Sequence, residues 1–295
     1  MEIQEKRSLQ ISRFRRILHS LFKSRTAVFG GFVLCLFVIV AILAPVIRPH
    51  DPNKQNLLLR LAPPIGLGKQ NASVEYPLGN DNLGRDTLSR LLVGSQVSLL
   101  VGLVTIVLTT VLGSILGAFA GYYRGNFDNF VMRLVDIWMA FPDLLLAIAF
   151  AAALGQGLLN LIVALVLTNW VVYCRVVRSE VLVLREQEYV MAVRSMGGSD
   201  MRIILQHIMP NVFSSIMVIA TLQFGTVIVT EASLSFLGIS VQSSVPTWGG
   251  MLADGREFMR EAWWLSTLPG LAISIVVLGA NLLGDGLRDA LDPRL

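Results

Sequence analysis

Five stretches of this chain carry no charged side chain: residues 26–47, 91–123, 144–174, 203–230 and 262–284. A helix needs roughly 20 residues to cross the ~30 Å hydrocarbon core of a bilayer, and each stretch is that long. The chain therefore reads as an all-α, polytopic membrane protein. Only 15% of its 295 residues are charged, against about 25% in a soluble domain. A pair of soluble domains, which the length alone would allow, is excluded by where those charges fall.

Six spans are expected, at about 28–48, 97–121, 131–153, 157–175, 211–237 and 264–285. The third is the least obvious, because Arg133, Asp136 and Asp143 fall in or beside it. It is required nonetheless: the run 144–174 is broken at Gly155-Gln156-Gly157, and neither half spans unless the first begins before Asp143. Residues 1–27 hold seven Lys/Arg and two Glu ahead of the first run. A signal peptide shares that polarity, but its apolar core is about 7–15 residues with a cleavage site. The longer run here reads as an uncleaved first helix with its N-terminus in the cytoplasm, and six spans then return the C-terminus to the same side. The expected layout is a cytoplasmic segment 1–27, a first span 28–48, an extracytoplasmic loop 49–96, a core 97–290 with five spans, and a cytoplasmic end 291–295. Segment 175–209, with five Arg, is placed in the cytoplasm by the positive-inside rule. The 49–96 loop is rich in turn formers such as Pro63-Pro64 and Gly79-Asn80-Asp81-Asn82, so order without much regular structure is expected. Tyr122 and Tyr123, and Trp263 and Trp264, suit membrane boundaries.

Several function classes fall away. The basic residues lie beside spans rather than on one folded face, which argues against nucleic acid. No Gly-rich phosphate loop occurs, so nucleotide hydrolysis by this chain alone is not expected. His19, His50 and His207 are scattered, and no cofactor or metal site is indicated. No nucleophile elbow or zinc-protease helix is present. Cys35 and Cys174 lie in or at the end of spans and read as buried small apolar residues.

Acids inside spans are functional candidates by default, because an unpaired charge in lipid costs several kcal/mol. Asp136 has a bland alternative, a pair with Arg133 one turn away. Glu231 lies deeper, and serves equally as a packing group or as a proton relay. Gly113, Gly117 and Gly121 recur every four residues, with Gly102 before them, and read as a close helix contact.

One polar insert separates two greasy runs, at 188–210. Met201, Ile204, Leu205, Ile208 and Met209 form one apolar stripe. Gly197 and Gly198 break the first helix, Ser199 or Asp200 caps the second, and Pro210 ends its pattern. The alternative is an amphipathic element lying on lipid. However, Glu186, Glu188 and Asp200 alternate with Arg185, Arg194 and Arg202, whereas a lipid-lying helix would be basic-faced. A protein docking site is the better reading.

At these residues the chain resembles the permease subunits of binding-protein-dependent ABC importers, whose cytoplasmic loop reads Glu-Ala-Ala-x3-Gly-x9-Ile-x-Leu-Pro. Gly197 and Pro210 align with Ala192 at the first Ala; Met191, Val193, His207 and Met209 depart from the pattern. Those departures resemble the dipeptide/oligopeptide/nickel branch. So do Leu78-Gly79-Asn80-Asp81-Asn82-Leu83-Gly84-Arg85-Asp86, Ala140-Phe141-Pro142, the segment from Glu231 to Gly238, Pro246-Thr247-Trp248-Gly249 and the stretch from Asn281 to Pro293. The resemblance implies a type I ABC importer permease fold with six transmembrane helices and a cytoplasmic coupling-helix hairpin at 178–210, in a bacterial inner membrane. It implies the second of two homologous permease subunits, two cytoplasmic ATPases, an extracytoplasmic substrate-binding protein and a di- or oligopeptide cargo. Nickel, metal chelates or glutathione are the alternatives within the fold. A proton-coupled transporter using Glu231 is the alternative outside it. The implied ATPase-coupling residues are Glu188, Met191, Ala192, Arg194, Gly197, Gly198, Ser199, Asp200, His207 and Pro210. Glu231, Asp136 and Pro142 are candidates for the pore, its gate or helix packing.

Overall fold

The computed structural model describes residues 21–67, 74–239 and 245–291, so most of segment 1–27, and Pro293 with it, lies outside the description. Among the described residues the regular structure is helical, apart from one isolated bridge between Asn80 and Asp86. The helices are α1 (Arg25–Ile47), α2 (Thr87–Tyr123), α3 (Gly125–Met139), α4 (Asp143–Leu154), α5 (Leu158–Leu184), α6 (Glu188–Ser195), α7 (Asp200–Ile203), α8 (Met209–Phe236), α9 (Trp248–Arg256) and α10 (Trp264–Leu291). Among the described residues five helical runs are long and apolar enough to cross a membrane, or six where the bent pair α3 and α4 counts as one span.

The second span starts ten residues earlier than its apolar pattern suggests. Helix α2 has 37 residues, about 55 Å at 1.5 Å per residue, well beyond a ~30 Å hydrocarbon core. Its first turn is set by Asp86, whose carboxylate accepts from the backbone N–H of Leu88 and Ser89. The charges that mark 85–90 as loop in the sequence are buried against one another, with Arg85 Nε 2.6 Å and Arg90 Nε 3.4 Å from Asp81 Oδ2. Mutual neutralisation lets a polar turn continue into an apolar helix. The described residues of the segment before it are ordered largely through turns, with one 3-10 turn at Leu57–Leu59.

Helices α2 and α5 form the centre of the bundle. A Cβ on Gly113 or Gly117 would collide with the carbonyl oxygens of Trp170 and Cys174, and one on Gly121 would lie 2.8 Å from that of Arg178. Glycine every four residues thus faces backbone every four residues, the close approach expected where lipid-soluble helices have no hydrophobic force between them. Cys174 is buried in this contact; Cys35 is exposed on the outer face of α1, contrary to the sequence expectation. Helix α1 lies against α10, with Gly30 and Ala27 opposite Gly279 and Gly286.

The third span is not one helix. Pro142 has no N–H to donate and disfavours helical backbone at Phe141, and α3 meets α4 at 95°. Helix α3 is fixed to α5 by Arg178, whose Nε and Nη2 donate to Asp128 at 2.5 and 2.7 Å. Gly155-Gln156-Gly157 turns the chain into α5 as the sequence suggests, with positive φ at both glycines.

Pro210 does not stop a helix. The chain is helical from Asp200 to Phe236, and a π turn at Ile204–Ile208 absorbs the proline. There Met209 N–H reaches back to the carbonyl of Ile204, so the i−4 register with which a proline ring clashes is already broken. The apolar stripe is rotated accordingly: Ile203, Ile204 and Ile208 are buried, whereas Met201 and Leu205 are exposed. Tyr122 and Trp264 lie at the ends of α2 and α10 and are buried there.

The glycine seam yields a test of inverted sign. In an isolated helix Gly→Ala is stabilising by about 1 kcal/mol. Gly117→Ala should instead lower the thermal unfolding midpoint of the detergent-solubilised protein, while Gly31→Ala, whose added Cβ would sit 3.7 Å from Leu283 Cδ1, should not. An unchanged or higher midpoint for Gly117→Ala contradicts the close approach.

Candidate functional site

The 188–210 insert is a hairpin at the end of the bundle where α2 and α5 emerge. Helix α6 begins with Glu188 in its first turn, where a carboxylate favours the helix dipole. It closes on paired bonds from Gly198 N–H to the Val193 carbonyl and from Gly197 N–H to the Arg194 carbonyl, both 3.0 Å. This double closure requires left-handed backbone at its pivot, and Gly197 supplies it with φ +80°. Gly198 is the point of close approach, since a Cβ there would lie 2.7 Å from Val193 Cγ1. Ser199 then occupies the N-cap position of α7, but its side chain makes no capping bond.

One side of the hairpin is core. Val190, Ile203, Ile204 and Ile208 are buried with Ala118 and Tyr122 of α2, Val177 and Val181 of α5, and Val212 and Ile216 of α8. The other side faces out. Glu188, Met191, Ala192, Arg194, Gly197, Ser199, Asp200 and Pro210 are exposed, while Gly198 and His207 are half-buried. The most exposed apolar side chain of the hairpin is Met196, at 79%, and Tyr189, Met191 and Met201 are exposed as well. The sequence motif passes over Met196 because it falls at a variable position of the pattern.

Asp200 has a different task from the capping expected of it. Its Oδ1 accepts from the Tyr122 hydroxyl at 2.7 Å. The Tyr122 ring, 2% exposed, lies with Arg194 Cζ 5.2 Å and Arg185 Cζ 6.0 Å from its centroid. Arg185 Nη1 also donates to the Tyr122 carbonyl. Helix α2 thus ends inside the hairpin rather than beside it.

The remaining candidates sit apart from the hairpin. Asp136 pairs with Arg175 Nη2 of α5 at 3.2 Å, not with Arg133; both groups are exposed, so the pair contributes at most about 1 kcal/mol. Pro142 is the bend between α3 and α4. Glu231 is wholly buried. It accepts from Ser235 Oγ at 2.8 Å and Ser98 Oγ at 3.3 Å, and Ser98 Oγ in turn accepts from Trp248 N–H. Its carboxyl joins α2, α8 and α9.

At the far end of α2 a second polar cluster was not legible as a unit. Arg85 and Arg90 bridge Asp81 to Asp254 of α9, with Arg85 Nη2 3.3 Å from Asp254 Oδ2, and Arg90 Nη1 donates to the Pro52 carbonyl at 3.3 Å. Burial pushes the Asp254 carboxyl above its usual range, against the pull of Arg90 and Arg85. The cluster has two cations and two anions, and it closes the ordered loop over the start of α2. Among the described residues no three His, Cys, Asp or Glu side chains converge as a metal ion would require.

Residues 113–295 match the family described as binding-protein-dependent transport system inner membrane component. Residues 12–64 match the N-terminal TM domain of oligopeptide transport permease C. The chain is 40% identical to the dipeptide transport system permease protein DppC of Alkalihalophilus pseudofirmus, over 97% of this chain and 91% of the relative. It is 44% identical to a putative peptide transport system permease protein of Brucella suis, over 93% and 90%. The glutathione transport system permease protein GsiD of Escherichia coli is 42% identical, over 96% and 89%. The chain belongs to the inner-membrane components of binding-protein-dependent transport systems: it is a multi-pass permease subunit of an ABC importer, not an enzyme, and ATP hydrolysis lies in other subunits of that complex.

Proposed function

We propose that this chain forms half of a translocation pore for di- or oligopeptides and that its 178–210 hairpin is where a cytoplasmic ATPase docks. In this reading a homologous permease subunit completes the pore, two ATPases each hold one hairpin, and an extracytoplasmic binding protein delivers the solute. Both termini and the hairpin lie in the cytoplasm; the 49–96 loop and α9 lie outside. The observation that carries the docking assignment is the two-sided hairpin, with an apolar inner face locked into α2, α5 and α8 and an exposed outer face crowned by Met196. Such an element moves with the spans it is packed on, so a push on its outer face reaches them. The peptide assignment rests on the relatives named for dipeptide and peptide transport. The GsiD relative keeps glutathione, itself a small peptide, as the second reading.

Two outcomes test this. Gly197→Trp places a bulky residue at φ +80° in open space, a strain of about 1–3 kcal/mol. It should leave membrane insertion intact while abolishing solute uptake. Met196→Asp should weaken co-purification of the ATPases by about tenfold or more, as truncation of an interface anchor does. Wild-type uptake by Gly197→Trp with ATPases still bound overturns the docking assignment.

Glu231 separates this reading from a proton-coupled transporter. Gln keeps an oxygen to accept from Ser235 and Ser98 but cannot release a proton. Glu231→Gln should retain most of its uptake, driven by ATP and insensitive to collapse of the proton gradient. Loss of uptake in a folded, assembled Glu231→Gln complex assigns the carboxyl a titrating role instead.

A further inference from the structure

The docking reading leaves open how motion of the hairpin reaches the pore. Most of its buried contacts are aliphatic: Val190, Ile203, Ile204 and Ile208 pack on Val177, Val181, Val212 and Ile216. Apolar contacts of that kind hold the hairpin against the bundle but are non-directional, so they do not by themselves fix its orientation on α2. The directional contacts are fewer: Arg124 Nη2 pairs with Glu186 at 3.2 Å, Asn211 Nδ2 donates to the Tyr189 hydroxyl at 3.4 Å, and Tyr122, alone among these, reaches both helices of the hairpin. Tyr122 enters the hairpin from the last turn of α2 and is held there on each of its chemical faces.

Its hydroxyl donates to Asp200 Oδ1 at 2.7 Å, which fixes it to the start of α7. The guanidinium of Arg194, near the end of α6, is 5.2 Å from the ring centroid, within cation–π reach of about 6 Å. Arg185, in the turn before α6, is 6.0 Å from the same centroid and donates to the Tyr122 carbonyl. A single side chain therefore touches the entry, the first helix and the second helix of the hairpin. On the other side Tyr122 continues into α2, whose Gly113, Gly117 and Gly121 lock it to the backbone of α5. Helices joined at backbone contact move together rather than past one another.

We propose that Tyr122 is the positioning residue that keys the hairpin to α2, so that the α2–α5 pair turns with the hairpin when the ATPases close. Tyr122 itself touches neither solute nor ATPase. The inference rests on the docking reading, and its test is chosen so that the two fail differently.

The test uses the complete importer, with its partner subunits and binding protein, in proteoliposomes containing ATP, and measures solute moved per ATP hydrolysed. Tyr122→Phe keeps the ring and removes the bond to Asp200; Arg185→Ala, outside the set of residues assigned to ATPase coupling, removes the second hold on Tyr122, at its ring and its carbonyl. Each should lower the ratio by about threefold or more, the scale of coupling lost along a contact network. ATPases should remain bound, with hydrolysis continuing. The loss in the double variant should fall short of the product of the two single losses, because both changes release the same side chain. A wild-type ratio in Tyr122→Phe, with the complex assembled, overturns the keying role and leaves docking untouched. Loss of the ATPases from Tyr122→Phe also overturns it, since Tyr122 would then shape the docking face rather than transmit its motion. If Tyr122→Phe fails to assemble, Arg185→Ala decides alone on the same ratio.

Discussion

The contact on which the rest of the molecule depends is the backbone-to-backbone approach of α2 and α5. In lipid there is no hydrophobic effect to press two helices together, so association rests on dispersion contacts and on how closely the backbones can come. Glycines at 113, 117 and 121 remove the side chains from one face of α2 and let the carbonyls of Trp170, Cys174 and Arg178 fill the space. The pair so formed is longer than the membrane is thick. One end of α2 is clasped by the Asp81, Arg85, Arg90 and Asp254 cluster, and the other is embedded in the hairpin. A stiff rod anchored at both ends connects what happens on one side of the membrane to the other.

The hairpin follows the same logic on a smaller scale. Its first helix has eight residues, too short to persist alone in water, and its second is the opening of the 37-residue helical run Asp200–Phe236. Packing supplies what length does not, through Val190 and the isoleucines at 203, 204 and 208. The left-handed turn at Gly197 then holds the outer face, with Met196 at its apex, away from the bundle. An ABC permease needs a surface of this kind, rigid relative to its spans yet open to a soluble partner.

Much of this was legible in the sequence, and the remainder was hidden for identifiable reasons. Charge-free runs mark helices because a single unpaired charge in lipid is costly, and the Gly113/Gly117/Gly121 spacing marks a seam because only small residues permit it. What periodicity cannot register is compensation between residues distant in sequence. Arg85 and Arg90 look like loop until Asp254, far along the chain, is brought to them. Asp136 has a candidate partner three residues away in Arg133, yet bonds to Arg175 on another helix. Pro210 reads as a stop in an ideal helix and is accommodated by a π turn, which no local propensity announces. Within the hairpin, the family motif located Gly197 and Pro210, whereas Met196 and Tyr122 emerge only from exposure and contact. Tyr122 in particular reads as a membrane-boundary aromatic, and its burial between two arginines is a tertiary fact.

The central claim is that the outer face of the hairpin meets the ATPase during transport. It is tested most directly by a single cysteine at Met196, in a background lacking Cys35 and Cys174, paired with cysteines placed across the ATPase surface. The account predicts a disulfide cross-link between the two subunits in the assembled importer, with uptake blocked by the bond and restored on reduction. A hairpin that forms no cross-link to the ATPase in an active complex, or a cross-link that leaves uptake unchanged, would contradict it.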